Sequence, residues 1–227
     1  MIDYDILIQG NNLAYGDGSL GISSVVLLST DAGPLLFDTG HYGNRAALLR
    51  GLKRHRLEPS DVPRVFLSHL HWDHSLNLDL FSAAEIIVSR QELDYLRQPH
   101  PDDIHLPWGI EGQLARHRVR VIDRATDLAG GVQAFPAPGH TPGLYALAFD
   151  HDAHGRVILA GDAIKYPKEV MTGTPDLVFD TVERGRETIA DILDRADRIV
   201  PGHFVEMRRE RDAWTWDQAA PFDLRVR

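Results

Sequence analysis

"RVFLSHLHWDHSLN", residues 64 to 77, runs from a short apolar stretch straight into four metal-competent side chains, His69, His71, Asp73 and His74. Chance is one source of such crowding, since the chain has 12 histidines and charged residues make up 25% of it. A metal site is the other. In an extended segment residues 69 and 71 project to the same side, so both imidazoles can grip one ion. Asp73 and His74 fall past the turn, where they can reach a second ion instead of crowding the first. The rest of the chain decides between the readings by whether it supplies the missing ligands.

Short apolar runs that end in a turn recur along the sequence: "YDILIQ", "SSVVLLST", "PLLFD", "RVFLS", "EIIVS", "VRVI", "VQAFPA", "LYALAFD", "RVILAG" and "RIV". Four of them deliver a candidate ligand. "RVFLS" leads to the histidine cluster, "VQAFPAPG" to His140, "RVILAG" to Asp162 and "RIVPG" to His203. Such endings indicate one shared sheet edge, where strands stop and loops carry chemistry. The last three ligands follow Gly139, Gly161 and Pro201-Gly202, and glycine lets a backbone turn sharply and come close to a site. Helical spacing appears in "NRAALLRGLKRHRL" (44 to 57) and "VERGRETIADILDR" (182 to 195). Strands and helices mix throughout, which indicates a layered α/β or α+β domain.

Composition bounds the function. The 227 residues suit a single domain over 1–227, with 43% hydrophobic residues to bury. Against 33 Asp plus Glu there are 24 Lys plus Arg, and the formal charge of -9 offers no general attraction to nucleic acid or an anionic membrane. A small-molecule substrate is expected, with no nucleic-acid or membrane partner; a homodimer stays open. Without cysteine there is no disulfide, thiolate zinc site or cysteine nucleophile, so His, Asp and Glu must hold any metal. The start "MIDYDILIQG" has acidic residues and no long apolar run, so the expected location is cytoplasmic.

"HLHWDH", "PGHTPG", "AGDAI" and "VPGH", preceded by "LLFDTG", occur in this order over most of the chain. Together they resemble the motifs of the metallo-β-lactamase-fold hydrolase superfamily. The resemblance implies an αββα sandwich of two mixed sheets with a dinuclear site at one edge. By position, His69, His71 and His140 would bind the first of two divalent metal ions, Asp73, His74 and His203 the second, and Asp162 would bridge them. His71 stands where di-iron relatives carry glutamate, which favours zinc (Zn2+); iron and manganese remain alternatives. A metal-bridging hydroxide would attack the carbonyl of a small ester, lactone, thioester or amide, and Asp73 would carry a proton to the leaving group. A mononuclear-iron persulfide-type dioxygenase and a phosphodiesterase or nuclease are the alternative activities. The complete second trio and the acidic balance argue against them.

In layout the chain is most similar to the N-acyl homoserine lactonase members. These generally place a tyrosine three residues after the bridging aspartate, where this chain has Lys165, followed by Tyr166. Lys165 is read as an oxyanion donor, a partner for a substrate carboxylate, or simply a solvated lysine. The cysteine-ligand β-lactamases are excluded as close relatives, and the 24 residues after His203 leave little for a glyoxalase-II-like glutathione-binding region. Asp38 of "LLFDTG" is expected to hold the far nitrogen of a ligand histidine, or else to shape a turn. Thr141 either supports His140 or caps a turn. His41 and Tyr42 are candidate substrate contacts. So is Trp108, in the aperiodic segment 98 to 113, read as a pocket wall or a core-covering loop. His55, His100, His105, His117, His151 and His154 are expected mostly at the surface, with "HDAHG" (151 to 155) forming a hairpin turn.

Overall fold

In the computed structural model, which describes residues 2–217, β1 (Asp3–Ile8) is followed by a small ladder of β2 (Ala14–Tyr15) and β3 (Gly18–Ser19), then by β4 (Val25–Thr30). β4 sets the packing pattern. Successive strand side chains face opposite ways, and Val26 and Leu28 enter one core while Val25 and Leu27 enter another. A strand apolar at four consecutive positions needs cover on both faces. β5 (Gly33–Phe37), β6 (Arg64–Phe66), β7 (Glu85–Ser89) and β8 (Arg118–Ile122) complete a six-stranded sheet in the order β1-β4-β5-β6-β7-β8. The pairs from β5 to β8 are parallel and the first two are antiparallel.

β9 (Thr126–Ala129), β10 (Val132–Pro136), β11 (Tyr145–His151), β12 (Gly155–Gly161), β13 (Arg198–Pro201), β14 (Met207–Glu210) and β15 (Ala213–Trp216) form a seven-stranded sheet, also mixed. Between the sheets, Leu28, Phe37, Phe66 and Ile87 meet Leu147, Phe149, Leu159 and Val200. Outside the first sheet α1 (Arg45–Arg54) lays down Leu48 and Leu52; outside the second, the last helix, Val182–Arg195, lays down Ile189 and Ile192. The result is the four-layer αββα sandwich.

Direction then places the site. β5 and β6 run parallel, as do β12 and β13, and β10 points the same way as β12 because β11 is antiparallel to both. The loops carrying Asp38, His69 to His74, His140, Asp162 and His203 therefore leave the sandwich at one edge. The anticipated hairpin turn also forms, with His151 paired to Gly155 across β11 and β12.

Other expectations shift. The helix expected over 44 to 57 closes at Arg54, after which Arg56 takes a left-handed φ of 58°. The aperiodic 98 to 113 segment is irregular only at first. At Gly109, with φ 85°, the chain turns into α4 (Ile110–Leu114), a conformation glycine adopts without steric cost. The single turn α2 (Trp72–Ser75), α3 (Arg90–Arg97) and α5 (Pro167–Thr172) were not anticipated, which makes the Val182–Arg195 helix α6. α3 did have a signal: Ser89-x-x-Glu92 is a capping-box sequence, and Ser89 Oγ accepts the Glu92 N–H at 3.0 Å. The expectation of no further binding region after His203 rests partly on residues 218–227, outside the described residues.

Candidate metal centre

His71 is extended, with φ -62° and ψ 152°, and is the N-cap of α2. His69 and His71 therefore project together while Leu70, between them, is buried in the core under the first sheet. The helical turn that follows swings Asp73 and His74 around. One short run of sequence thus addresses two neighbouring positions, as the spacing suggests.

Three groups of donor atoms result, each closing to within 4.8 Å: His69 with His71 and His140; His69 with His74 and Asp162; and Asp73 with His74 and His203. Asp162 lies between them. Its Oδ2 is 3.4 Å from His140 Nε2, whereas its Oδ1 is 3.2 Å from His74 Nε2 and 3.3 Å from His203 Nε2. Asp73 Oδ2 is 3.3 Å from His203 Nε2. One carboxylate oxygen faces each side of the cluster, which is the arrangement a bridging ligand needs.

The donor set fits a divalent cation. His69 Nε2, His74 Nε2 and Asp162 Oδ1 are buried and lack a hydrogen-bond partner, a costly condition for polar atoms unless something coordinates them. Burial, aided by neighbouring histidines, holds His69 well below the ordinary histidine pKa. Burial first and the Lys165 charge second do the same for His140. Neutral imidazole is the form that binds metal. Burial also opposes charge on His74, but the carboxylates of Asp73, Asp162 and Asp38 outweigh it and raise its pKa well above the ordinary histidine value. The same three carboxylates favour positive charge at this position, which a bound cation would supply.

Each imidazole is fixed from behind. Ser68 Oγ is 3.0 Å from His69 Nδ1, the Leu177 carbonyl is 2.7 Å from His140 Nδ1, and the Asn11 and Ile22 carbonyls hold His203 Nδ1 at 3.2 and 3.1 Å. The other two rings have carboxylates. Asp38 Oδ2 lies 2.7 Å from His74 Nδ1 and Asp103 Oδ2 lies 3.0 Å from His71 Nε2. Burial pushes the Asp38 carboxyl up against the pull of His74. Its oxygens also accept from Ser68 N and Oγ at 2.7 and 2.8 Å, so Asp38 both backs a histidine and shapes the strand end.

Thr141 does not touch His140's far nitrogen. Its hydroxyl donates to Glu92 Oε2 at 2.8 Å, and Glu92 Oε1 accepts the Leu70 N–H at 2.9 Å. The fully buried Glu92 therefore ties the His140 loop to the His69–His71 loop. A close backbone approach sets that loop from the other side. A Cβ on Gly139, whose φ is 137°, would meet Gly185 Cα of α6 at 2.4 Å, so neither conformation nor space admits a larger residue.

A cavity of about 300 Å³ opens over the cluster. Lys165 and Tyr166 line it, with Asp73, Asp162, His105 and Asp176. Lys165 is not a solvated lysine: it is 6% exposed, its Nζ is 2.9 Å from Glu169 Oε1, and it donates to the Asp176 carbonyl. The Tyr166 hydroxyl donates to the Asp176 carboxylate. Three proposed substrate contacts fall outside this lining. The His41 ring sits edge-on to Trp72, a lining residue, at 4.9 Å, and its Nδ1 accepts the Gly43 N–H, but His41 does not itself line the cavity. Tyr42 is exposed beneath the Arg45 guanidinium, and Trp108 is fully exposed. His105 reverses the expectation of a surface position by lining the cavity beside His71. Nothing in its spacing announces it, and the same holds for Asp103.

A family model described as Metallo-beta-lactamase superfamily matches residues 18–203. Metallo-beta-lactamase domain-containing protein 1 of Xenopus laevis is 32% identical over 197 residues, covering 86% of this chain and 73% of its own. The N-acyl homoserine lactonase of Bacillus sp is 28% identical over 213 residues, covering 81% of each. Among solved structures, a B. thuringiensis AiiA mutant with N-decanoyl-L-homoserine bound at the active site superposes with a TM-score of 0.73 at 23% identity, over 90% of this chain and 93% of that one.

Proposed function

The chain belongs to the metallo-beta-lactamase superfamily, and on that premise we propose that it is a dinuclear, zinc-dependent hydrolase of a small uncharged carbonyl substrate, with an N-acyl lactone the first to try. Membership and the lactonase relatives make it a metal-dependent hydrolase. The finer reading rests on one observation: the two oxygens of Asp162 face different donor groups, 3.4 Å from His140 on one side and 3.2 Å from His74 on the other. That division supports two metal positions over one. In this reading His69, His71 and His140 hold one ion, Asp73, His74 and His203 hold the other, and the chain is one hydrolase domain.

Divalent ions held there supply Lewis acidity and lower the pKa of water. The rest is work for the protein. Asp73 lines the cavity and has an oxygen 3.3 Å from His203 Nε2, so it can orient the nucleophile and pass a proton to the leaving group. Lys165 presents an N–H donor whose charge Glu169 already balances at 2.9 Å. A neutral carbonyl developing negative charge suits that donor better than a substrate carboxylate, because the ion pair would have to open to offer a net charge. The cavity, about 300 Å³, is at the small end of ligand sites, which run roughly 300–1,000 Å³.

Elemental analysis of protein purified without added metal tests the reading, run beside a panel of lactones, thioesters, β-lactams and phosphodiesters. About two ions per chain, mostly zinc, with lactone turnover above that of free zinc, is the expected result. One tightly bound iron with oxygen uptake on a persulfide, or turnover confined to phosphodiesters, overturns it.

A further inference from the structure

In the first trio the rings are backed unequally. His69 leans on the Ser68 hydroxyl and His140 on the Leu177 carbonyl, both neutral, while His71 Nε2 faces the Asp103 carboxylate at 3.0 Å. Asp103 comes from the irregular stretch before α4. Its neighbours are turned outward, with the Asp102 side chain 87% and Ile104 85% exposed, yet the Asp103 side chain is 0% exposed. Both of its carboxylate oxygens are engaged. Oδ2 also accepts the Tyr95 hydroxyl at 2.6 Å, and Oδ1 accepts the His105 N–H at 2.9 Å. Two residues on, His105 lines the cavity with its ring 5.3 Å from that of His71, and its carbonyl accepts the Trp72 N–H at 2.9 Å. The stretch is thus fastened to the site by one carboxylate, on a candidate ligand, and by one backbone bond, on the turn that follows it.

We infer that Asp103 is a positioning residue that orients His71 toward the first metal position and, through the same bond, makes the order of residues 98 to 109, the stretch that brings His105 to the cavity, depend on an ion being held there. The inference rests on the metal-dependent reading above. A neutral imidazole carries one proton, on either nitrogen. When an ion takes the Nδ1 lone pair of His71, that proton must sit on Nε2, where Asp103 accepts it. An occupied site therefore strengthens the Asp103 bond, and by thermodynamic reciprocity an ordered stretch tightens the ion by the same factor. Residues that orient a metal ligand from behind in this way change metal affinity by about 10- to 100-fold when mutated. The part of the cavity that His105 lines would then take its working form only on the loaded enzyme.

Hydrogen–deuterium exchange of the full chain, zinc-free and zinc-loaded, tests this together with zinc titration against a competing chelator. In the wild type, zinc should slow exchange across residues 98 to 109. In Asp103→Asn the affinity of one of the two zinc ions should fall about 10- to 100-fold, and the zinc-dependent protection of 98 to 109 should disappear while that around His74 and His203 persists. Asp103→Glu, which keeps the charge, should recover part of the affinity; a purely packing role would not be rescued by charge. A wild type whose 98 to 109 segment exchanges alike with and without zinc overturns the inference whether or not the Asn variant folds. So does an Asn variant with two wild-type zinc affinities. A wild type that binds no divalent metal overturns the hydrolase reading itself, and the inference with it.

Discussion

Asp38 and Asp103 perform one chemical task from two kinds of structure. Both are buried carboxylates behind a histidine, 2.7 Å from His74 and 3.0 Å from His71. Asp38 directly follows β5, buried at the sheet edge, and Ser68 N and Oγ hold it from the adjoining strand end. Its φ of 59° is a left-handed conformation that an aspartate tolerates at some cost and that the surrounding bonds enforce. Asp103 lies in an irregular stretch; a tyrosine hydroxyl from α3 and a backbone N–H from its own loop hold it. The first support belongs to the scaffold and the second to the wall of the cavity. A site built in this way can change its wall without rebuilding the half that the sheets fix.

The most damaging change strikes the residue the halves share. Asp162→Ala removes both oxygens that face the two donor groups, and the expected outcome is a fall from two ions per chain to one or none, with hydrolysis at the background of free zinc. Elemental analysis with a turnover assay reads both numbers. Retention of two ions would mean that the halves hold metal independently and that the bridge is dispensable. Next comes Asp73→Asn, which keeps the size of the side chain and loses its carboxylate. A positioned proton carrier contributes about 10²–10⁴-fold, so turnover should fall by that order while most of the metal stays. Near-normal turnover with metal in place would strip Asp73 of its proposed proton-carrying role.

A third change sharpens the contrast between the supports. Asp38→Asn should weaken one ion by about 10- to 100-fold, as Asp103→Asn should weaken the other. The two should part in stability, because Asp38 also accepts two bonds from Ser68 in the core. Thermal melts of the zinc-free variants check this: the Asp38 variant should melt well below the Asp103 variant. Equal melting would make both supports equivalent and dissolve the distinction between scaffold and wall.

The same contrast explains what the sequence discloses. Strand ends leave a local signature, because the apolar run, the turn residue and the functional side chain are contiguous; "LLFDTG", "VFLSHLHWDH" and "RVILAGD" carry fold and candidate ligand in one reading. The αββα layering follows from runs such as β4, apolar at consecutive positions and so covered on both sides. Asp103, His105 and Glu92 leave no such trace. His71 and Asp103 are 32 residues apart and meet only through the path of an irregular loop. Glu92 shows in sequence as half of a capping box, yet its side chain ignores the cap and reaches Leu70 and Thr141. Lys165 follows the same rule. Its spacing after Asp162 is plain, but the ion pair that takes it out of solvent depends on α5 presenting Glu169.

The smallest effect expected concerns the tie between the two loops of the first trio. Thr141→Val keeps the shape and removes the hydroxyl that donates to Glu92 Oε2 at 2.8 Å. A fully buried carboxylate oxygen is then unpaired, which costs about 1–3 kcal/mol, or about 2–4 °C in melting temperature per kcal/mol for a chain of this size. The pH dependence identifies the cause. Burial raises the folded-state pKa of Glu92 above its ordinary value, against the pull of Leu70 N–H and the Thr141 hydroxyl. A carboxyl raised on folding destabilises the fold when ionised, at pH above the folded pKa, and that penalty fades as pH falls through it. Losing the Thr141 donor raises the pKa further. The gap between wild type and Thr141→Val in zinc-free melts should therefore be widest at neutral pH and narrow on mild acidification, with the zinc count of the loaded protein unchanged. If the gap widens as the pH falls, Glu92 is not its source; if the two proteins melt together throughout, the loops bearing His71 and His140 are placed without this tie.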